Sequence, residues 1–321
     1  MEHKYLLLYG DKKEEDNILI PFMFEYYKKI PLGWIEKDRE MIENIIVQNI
    51  DEGIEQFIFW GLEVGWNNVI KKVKKQYSKI KIKIICNTSD ALLYYDYERE
   101  NFFELLSLSK EGLIDDIAFL QKGMYETYKK LGYESSYILE NISLEKNKIK
   151  FEDNIEKCVG VYQLNYTWDK NIYNQLSVGK FINGMTIKYN SLDKKMDEFL
   201  KIMKIDSKKD EIIEKDAYEI ANVVSRNIIN ISCDFTDYVH PIALISMECG
   251  IPCIIGDTSY LFNTEKLQEY LVVHSEDNPI EISNKIMRAI DNSKDIMQEY
   301  RKWKIDYNQK SEQSIISFLN K

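Results

Sequence analysis

Apolar runs and helical patterns alternate along the first part of the chain. Short runs typical of buried strands recur about every 30 residues, at Lys4–Tyr9, Glu55–Trp60, Ile80–Cys86, Asp116–Leu120 and Tyr137–Leu139. Segments with apolar residues at helical spacing lie between them, at Ile18–Lys29 after Pro21, Ile35–Asn49, Asn67–Tyr77, Asn101–Leu108 and Gly123–Leu131. This alternation predicts βαβ units and a parallel sheet.

The pattern restarts after residues 142–156, a charged stretch without periodicity that we interpret as a linker. Strands are predicted at Lys157–Gln163, Met185–Tyr189, Ile228–Ser232, Cys253–Ile255 and Leu271–Val273. Helices are predicted at Trp168–Lys180, Asp193–Met203, Asp216–Val224, from Pro241, at Pro279–Ile290 and at Asp295–Leu319, the last with a break near Asn308–Ser311. Ser207–Ile213 carries only a weak pattern. We therefore expect an α/β protein with two Rossmann-like domains facing across a cleft, residues 1–145 and 146–305.

Composition narrows the function classes. The 321 residues are enough for two domains, and the net charge of −10 does not favour a nucleic-acid partner. The five cysteines form no CxxC pair. We interpret them as small core residues of a protein in a reducing compartment. The first apolar run is too short for a signal peptide, and none approaches the roughly 18 residues of a membrane-spanning helix, so we expect a cytoplasmic protein.

The stretch 228–256 carries the clearest candidate chemistry. A buried strand is followed by a polar loop with Asp234, Asp237 and His240, and then by a helix that begins at Pro241. Loops at the carboxyl ends of parallel strands bind ligands, and helix N-termini favour anions. Asp237 could accept hydrogen bonds from sugar hydroxyls or simply cap the helix, and Asp234 has the same ambiguity. His240 could be a polar contact, a general acid or a structural loop residue.

Other polar residues follow neighbouring strands of the second domain. Lys170 and Asn171 begin a helix after Lys157–Gln163, where a lysine could hold a diphosphate or be an exposed first-turn residue. Thr258 and Ser259 follow the next strand and could bind phosphate or only form a turn. Glu248 could reach a ligand or be solvated at its helix end.

The first domain offers weaker signals. Gly10 and Asp11 end the first strand, where glycine permits close approach to a ligand but also serves an ordinary turn. Asn87–Asp90 form a polar turn that could cap the next helix. A run of lysines lies near Trp66, Ile70 and Val73. It could form a patch that contacts anionic lipid, or it could be a solvated helix face. The run comprises Lys71, Lys72, Lys74, Lys75, Lys79, Lys81 and Lys83.

The segment CDFTDYVHPIALISMECGIPCIIGDTSYLF resembles the donor-binding half of GT-B glycosyltransferases, especially bacterial family 4-like enzymes. Residues 250–254 match the Gly-x-Pro end of that family's motif. The family's first glutamate falls on Asp237 and its second on Ile245. In the family the first carboxylate lies by the donor sugar and the second by the ribose. The resemblance therefore implies that Asp237 contacts the donor sugar. Ile245 has no side-chain group that could hydrogen-bond to the ribose.

The segment VGVYQLNYTWDKNIYNQL resembles the same family's strand, loop and helix with a diphosphate-binding arginine and lysine. Lys170 matches the lysine, and Asn165 stands at the position of the arginine. The N-terminal half is similar to the family in the order and spacing of its predicted strands and helices. Residues 306–321 resemble the closing helix that crosses back to the first domain.

The resemblance implies a glycosyltransferase that uses a nucleotide-diphosphate sugar, retains the anomeric configuration and needs no metal or other cofactor. Its acceptor would be a glycan, a lipid-linked sugar or a protein. The implied catalytic residues are Asp237 and Lys170; the donor-binding residues are Asn165, Asn171, His240, Pro241, Thr258 and Ser259; and the acceptor-side residues are Gly10, Asp11, Glu63, Asn87 and Ser89.

Two alternatives stay open at this point. Because Ile245 and Asn165 replace charged residues of the family, the chain could be a GT-B-like accessory or scaffold subunit without catalysis. It could also be another GT-B enzyme, such as a nucleotide-sugar epimerase.

Overall fold

The chain forms two compact α/β units. The computed structural model describes residues 4–10, 18–30, 39–62, 65–149, 156–165, 167–191, 193–212, 216–235 and 241–321. One unit comprises Met1–Glu140 and Gln309–Lys321, and the other comprises Asn141–Asn308. We refer to them as the first and second units.

Each unit contains a parallel six-stranded sheet. In the first unit the strand order is β2-β1-β3-β4-β5-β6, and in the second it is β12-β11-β10-β7-β8-β9. The strands of the first sheet are β1 (Tyr5–Gly10), β2 (Tyr27–Ile30), β3 (Gln56–Trp60), β4 (Lys81–Cys86), β5 (Asp116–Phe119) and β6 (Ser135–Tyr137). Those of the second are β7 (Glu156–Val161), β8 (Thr186–Asn190), β9 (Ser207–Asp210), β10 (Asn227–Ser232), β11 (Cys253–Gly256) and β12 (Val272–Val273).

Helices connect these strands in both units. They are α1 (Ile20–Met23), α2 (Arg39–Asp51), α3 (Trp66–Gln76), α4 (Asp96–Lys110), α5 (Lys122–Lys130), α6 (Ile172–Ser177), α7 (Lys194–Ile202), α8 (Ala217–Val224), α9 (Pro241–Glu248), α10 (Glu265–Leu271), α11 (Pro279–Asp291) and α12 (Ser293–Asn320). Short 3-10 turns occur at Asp90–Tyr94, Lys146–Lys148, Trp168–Lys170, Val178–Lys180 and Asp257–Ser259. The expected α/β class with two Rossmann-like units is confirmed.

The core of the first unit forms because its helices bury one face against the sheet. Strand β3 is buried at every position, as expected for a parallel strand covered on both faces. Helix α3 buries Trp66, Val69, Ile70 and Val73, which share one helical face. The apolar residues in the basic segment therefore pack into the core and do not face solvent.

Close strand contact in the second unit depends on Gly160 in β7. A Cβ atom at this position would lie 2.0 Å from Asn230 Oδ1 and 2.4 Å from Asn227 Nδ2. The two asparagines hydrogen-bond to each other at 2.8 Å, and Asn230 Nδ2 also donates to Ser246 Oγ at 2.8 Å. Glycine therefore leaves the space in which this buried amide network ties β10 to α9.

Four predicted elements were wrong in detail. The helix predicted over Trp168–Lys180 is only α6, Ile172–Ser177, with a 3-10 turn before and after it. The helix predicted over Ile18–Lys29 is only the short α1, followed by strand β2. The weak segment from Ser207 contains strand β9. Helix α12 runs without interruption through Asn308–Ser311, where a break was predicted. Fold class is unaffected, because β2 and β9 extend the two sheets at their edges.

Candidate functional site

The second sheet has a topological switch point between β7 and β10. From β7 the chain continues to β8 and β9 on one side, and then crosses to β10, β11 and β12 on the other. Loops leaving the carboxyl ends of β7 and β10 therefore diverge, which opens the crevice where doubly wound sheets bind ligands. Gln163 follows β7 and Asp234 follows β10, and Gln163 Nε2 donates to Asp234 Oδ1 at 3.0 Å.

Asp234 is the centre of the polar cluster at this switch point. It is 1% exposed, and its Oδ2 lies 3.2 Å from Lys170 Nζ. Its Oδ1 also accepts from Gln175 Nε2 at 3.3 Å, and that amide donates to Lys170 O at 2.8 Å as well. These contacts hold the ammonium of Lys170 at the carboxyl edge of β7 and β10.

Asn171 anchors the turn that carries Lys170. Its backbone is in the left-handed region with φ of 51°, a conformation that asparagine tolerates better than most residues. Its Nδ2 donates to Cys233 O at 2.9 Å and to Glu276 O at 2.5 Å. The side chain is 4% exposed. It therefore ties the Lys170 turn to the loops that follow β10 and β12.

Carboxylates dominate the neighbouring strand ends. Asp257 follows β11, and its Oδ2 lies 3.0 Å from His274 Nδ1 after β12. Glu276 Oε1 accepts from the backbone N–H of Asp257 at 2.9 Å. Thr258 is exposed and donates its hydroxyl to Asp234 O at 3.2 Å. This edge of the sheet therefore carries carboxylates as well as the Lys170 ammonium.

The remaining donor-side candidates are placed as follows. Asn165 Oδ1 accepts from Thr167 Oγ1 at 2.9 Å, so an amide stands where the family has its arginine. Pro241 is the first residue of α9. Asp237 and His240 lie outside the described residues, as does the side chain of Ser259.

Helix α9 carries Ile245, at the position where the sequence resemblance places a second carboxylate. Ile245 is fully buried within the core of the second unit. Glu248 accepts from Tyr300 OH at 2.8 Å and forms an ion pair with Lys304, both on α12. Its carboxylate thus joins α9 to α12.

Cys233 lies beside Asp234 but offers no nucleophile. Burial is the main cause that raises the pKa of its thiol well above the usual value, with Cys253 and Asp234 adding to the shift. A thiol that stays protonated is a poor nucleophile.

In the first unit, the corresponding switch point lies between β1 and β3. Gly10 ends β1 and Gly61 follows β3. Asn87 and Ser89 follow β4, and both are buried. Asp11 and Glu63 lie outside the described residues.

A cavity opens beside these strand ends of the first unit. It is lined by Trp60, Gly61, Leu62, Cys86, Asn87, Thr88, Tyr97, Glu98, Asn101, Phe102 and Leu105. Sequence reasoning identified the loops at Gly61 and Asn87, but it missed the residues contributed by α4. Tyr97, Glu98 and Asn101 lie within helix α4 and follow no strand, so their position in the sequence did not indicate them as candidates.

The basic segment is largely engaged within the chain. Lys71 lies 3.2 Å from Glu104 Oε1, Lys74 lies 2.6 Å from Asp115 Oδ2, and Lys72 pairs with Glu43. Lys83 is fully buried and donates to the carbonyls of Phe318 and Leu319 at the end of α12. Their apolar neighbours are buried, whereas Lys71, Lys72, Lys75, Lys79 and Lys81 are exposed to solvent. Contact with anionic lipid through this segment stays a prediction.

Among the residues that the structure describes, no group of three or more His, Cys, Asp or Glu side chains is placed to hold a metal ion. No helix among them is long and apolar enough to cross a membrane.

Solved structures with the same fold cover nearly the whole chain. HepE of Anabaena, in complex with UDP and glucose, superposes with a TM-score of 0.70 at 9% identity, covering 99% of this chain and 100% of that one. Sucrose-phosphate synthase from Thermosynechococcus elongatus gives 0.64 at 12% identity, covering 91% and 81%. The trehalose-6-phosphate protein from E. coli, bound with UDP-2-fluoro glucose, gives 0.56 at 10% identity, covering 88% and 77%.

No family model matches the sequence. No curated protein is significantly similar to it in sequence. The structural likeness at these identities shows the fold, which is GT-B as the sequence resemblance implied.

Proposed function

We propose that this GT-B protein is a glycosyltransferase that moves a sugar from a nucleotide-diphosphate sugar to a glycan, lipid-linked or protein acceptor. The observation that carries the proposal is the Lys170 ammonium held at the switch point of the second sheet. Proteins of the same fold bind UDP with glucose, or UDP-2-fluoro glucose.

Lys170 would stabilise the departing diphosphate. In sugar transfer from such donors, negative charge accumulates on the leaving diphosphate as the glycosidic bond breaks. A cation fixed in advance stabilises that charge without reorganising at the moment of reaction. Asp234 and Gln175 fix Lys170 in this way. Asn165, Asn171, Thr258 and Ser259 would support the donor around it.

The polar loop between β10 and α9 would orient the donor sugar. Asp237 is proposed to accept hydrogen bonds from sugar hydroxyls, with His240 and Pro241 completing the contact. The acceptor is proposed to bind near Gly10, Asp11, Glu63, Asn87 and Ser89. Retention of configuration and independence from metal are part of the same proposal, as is action in the cytoplasm.

A turnover assay with two lysine variants tests the proposal. UDP-, GDP-, ADP- and CDP-sugars are supplied with candidate acceptors, and release of nucleoside diphosphate is measured. Lys170→Ala should lose most turnover, by at least about 100-fold for a lost electrostatic contact to the leaving group. Lys180→Ala is the matched control, since Lys180 is exposed in the next 3-10 turn and should retain full activity. Unchanged turnover in Lys170→Ala would contradict the proposed role.

A second candidate is a GT-B-like accessory or scaffold subunit without catalysis. The observation favouring it is Ile245, whose complete burial leaves no carboxylate at that position of α9. Calorimetry with the same sugar nucleotides separates the candidates. Binding followed by transfer supports the enzyme, whereas no binding at millimolar sugar nucleotide, or binding without any product, supports the scaffold. Donor consumption without acceptor that yields a sugar isomer would instead indicate an epimerase.

A further inference from the structure

The end of helix α7 exposes apolar side chains between lysines. Ile202, the last residue of the helix, is 76% exposed, and Met203 follows it at 37%. Lys201 and Lys204 flank this pair in the sequence, and both are exposed. Single exposed apolar residues are common on protein surfaces, whereas grouped ones indicate a contact surface. An apolar neighbour from another element would therefore distinguish the end of α7 from an ordinary surface.

The 3-10 turn Val178–Lys180 provides such a neighbour. Gly179 lies in this turn, and a Cβ atom there would be 2.4 Å from Ile205 Cγ2. The turn therefore packs against the chain that leaves α7. Phe181 follows the turn and is 47% exposed, and Lys180 beside it is exposed as well. We call the residues of the two segments the amino-edge patch: Lys180, Phe181, Lys201, Ile202, Met203 and Lys204.

The amino-edge patch lies at the opposite edge of the second sheet from the candidate site. Phe181 precedes β8, and Ile202 and Met203 precede β9, so they lie near the edge where these parallel strands begin. Lys170 and Asp234 lie where β7 and β10 end. Within the second unit, a partner on the patch would therefore leave the candidate donor site uncovered.

Lys204 occupies a position at which glycine is the usual residue. Its φ is 50°, in the left-handed region, and Ile205 N donates to Leu200 O at 3.0 Å as the helix ends. A lysine is strained here, because its Cβ approaches a carbonyl oxygen. The helix dipole favours a cation near this end, but Lys201 already provides one. Four other helices, α2, α4, α5 and α9, are followed by a glycine in the left-handed region: Gly53, Gly112, Gly132 and Gly250. Helix termination alone therefore does not account for Lys204.

The lysines of the patch are available to an outside partner. Lys180, Lys201 and Lys204 form no ion pair with any residue that the structure describes. The exposed acidic residues nearest to the end of α7 in sequence are Glu198 and Asp206, and Asp206 already accepts a hydrogen bond within the unit. The three lysines outnumber these two carboxylates. The patch is therefore locally positive on a chain whose net charge is −10.

The chemistry of the patch matches an anionic membrane surface better than a protein. Lysine is depleted in protein–protein interfaces, where arginine is enriched. A two-fold contact between copies of this chain would bring the lysines of both patches together, and like charges repel. At a bilayer, exposed apolar side chains enter the headgroup boundary, while lysine side chains keep their ammonium groups at the charged surface. Each lysine near anionic headgroups adds to the attraction.

We propose that the amino-edge patch docks the second unit on a membrane surface that contains anionic phospholipid. Phe181, Ile202 and Met203 enter the headgroup layer, and the three lysines contact lipid phosphates. This contact uses a different surface from the basic segment of the first unit, and it does not depend on the proposed function. The carboxyl edge of the second sheet stays free to bind a ligand while the protein is held at the membrane.

Vesicle binding of the full chain tests the proposal. Vesicles of phosphatidylcholine alone are compared with vesicles of equal parts phosphatidylcholine and phosphatidylglycerol, and the bound fraction is measured by flotation. The chain should bind the anionic vesicles at least about tenfold more tightly than the neutral ones, and high salt should weaken that binding. Equal binding to both kinds of vesicle, or binding to neither, would overturn the proposal.

Matched apolar substitutions test the insertion of the α7 end. Ile202→Ser removes an apolar side chain from the patch, so the affinity for anionic vesicles should fall about tenfold. Ile280→Ser is the control, because Ile280 is an exposed isoleucine of α11 outside the patch, and it should bind as wild type does. Equal losses from the two substitutions would contradict insertion through the patch.

Matched charge reversals test the contact with lipid phosphates. Lys180→Glu combined with Lys201→Glu should lower the affinity for anionic vesicles by at least about tenfold. Lys75→Glu combined with Lys79→Glu changes the net charge equally, at exposed lysines of the basic segment, and should lower the affinity much less. Equal losses from both pairs, or loss only from the second pair, would overturn the assignment to the amino-edge patch.

Lys204→Gly separates lipid contact from folding. Glycine relieves the left-handed conformation, so this variant should melt at or above the wild-type temperature. It also removes one lysine from the patch, so its affinity for anionic vesicles should fall severalfold. If Lys204→Gly bound these vesicles as tightly as wild type does, Lys204 would make no lipid contact and the proposal would fail.

Sedimentation equilibrium without vesicles tests the other occupant, a second copy of the chain. The proposal predicts that Ile202→Ser leaves the oligomeric state unchanged. A wild-type dimer that Ile202→Ser dissociates would assign the patch to contact between copies, and would overturn the proposal.

Discussion

Lys170 Nζ lies 3.2 Å from the carboxylate of Asp234, and Asp234 is almost completely buried at the switch point of the second sheet. The pair joins the turn after β7 to the loop after β10. Because Gln163 and Gln175 also donate to Asp234, the carboxylate has more than one partner in the second unit.

Removal of Asp234 should destabilise the second unit strongly. Asp234→Ala leaves a nearly buried ammonium without this acid and removes one acceptor from each of two amides, which should cost about 3 kcal/mol of unfolding free energy. Lys170→Met should cost less, because both amides still bind the carboxylate. Chemical denaturation measures both effects.

An exposed ion pair supplies the control for that comparison. Lys266 and Asp295 lie 3.8 Å apart in the same unit with solvent-exposed side chains. Asp295→Ala should change the unfolding free energy by less than about 1 kcal/mol. If Asp234→Ala were as mild as Asp295→Ala, the buried pair would not organise this site.

The Gly160 position should tolerate no side chain. Gly160→Ala places a methyl group against the Asn227 and Asn230 amides, so we expect a loss of at least about 2 kcal/mol from overpacking and broken hydrogen bonds. Gly123→Ala is the matched control: this glycine lies in helix α5 with open space around its Cβ position. That substitution should stabilise slightly, by roughly 0.5–1 kcal/mol. The melting temperatures and urea midpoints of the two variants should shift in opposite directions from those of the wild type.

Lys83 should make stability depend on alkaline pH. Burial is the main cause that lowers its pKa from 10.5 to about 8, with Asp116 opposing the shift. Between these two values the unfolded chain binds more protons at this residue than the folded chain does. The contribution of Lys83 to stability therefore rises as pH increases from about 8 to about 10.5. The neutral amine can still donate to the carbonyls of Phe318 and Leu319.

Urea unfolding across this pH range checks the prediction. Wild type should gain stability relative to Lys83→Met as the pH rises from 8 to 10. Lys79→Met alters an exposed lysine just before the same strand and keeps Lys83, so it should preserve the wild-type slope. If the unfolding free energy of Lys83→Met depended on pH as that of the wild type does, Lys83 would not be the source of this dependence.

The central strands could be predicted from sequence because burial on both faces makes them continuous apolar runs, as in Phe57–Trp60. The edge strands could not. In β2 only Ile30 is buried, and β9 has the sequence SKKD, so neither carries an apolar pattern. Their register is set by hydrogen bonds to β1 and β8, which local sequence does not encode.

The break predicted in the last helix was wrong because tertiary contacts, and not the local apolar pattern, determine which residues are buried there. Ser311 is buried, yet its hydroxyl donates to Leu139 O at 2.6 Å, and Ser314 Oγ accepts from Leu139 N at 3.1 Å. Polar residues at contact positions interrupt the apolar periodicity without ending α12. Tertiary hydrogen bonding of this kind cannot be read from the hydrophobic pattern.

For the candidate site, strand-end reasoning identified Lys170 and Asp234 but missed Gln163 and Gln175. Gln163 could have been noticed, because it is the polar residue that ends the predicted strand Lys157–Gln163. Gln175 lies one turn into α6, and its contact with Asp234 depends on how the helix packs. The sequence therefore indicates which loops meet, whereas the hydrogen-bond partners follow only from the fold.

The most direct test of the central claim is a crystal structure with a bound nucleoside diphosphate. We predict a diphosphate oxygen within about 2.7–3.2 Å of Lys170 Nζ, at the carboxyl edge of β7 and β10. A nucleotide bound elsewhere in the protein, or none bound at millimolar concentration in crystals of the folded chain, would contradict the assignment of this site to a sugar-nucleotide donor.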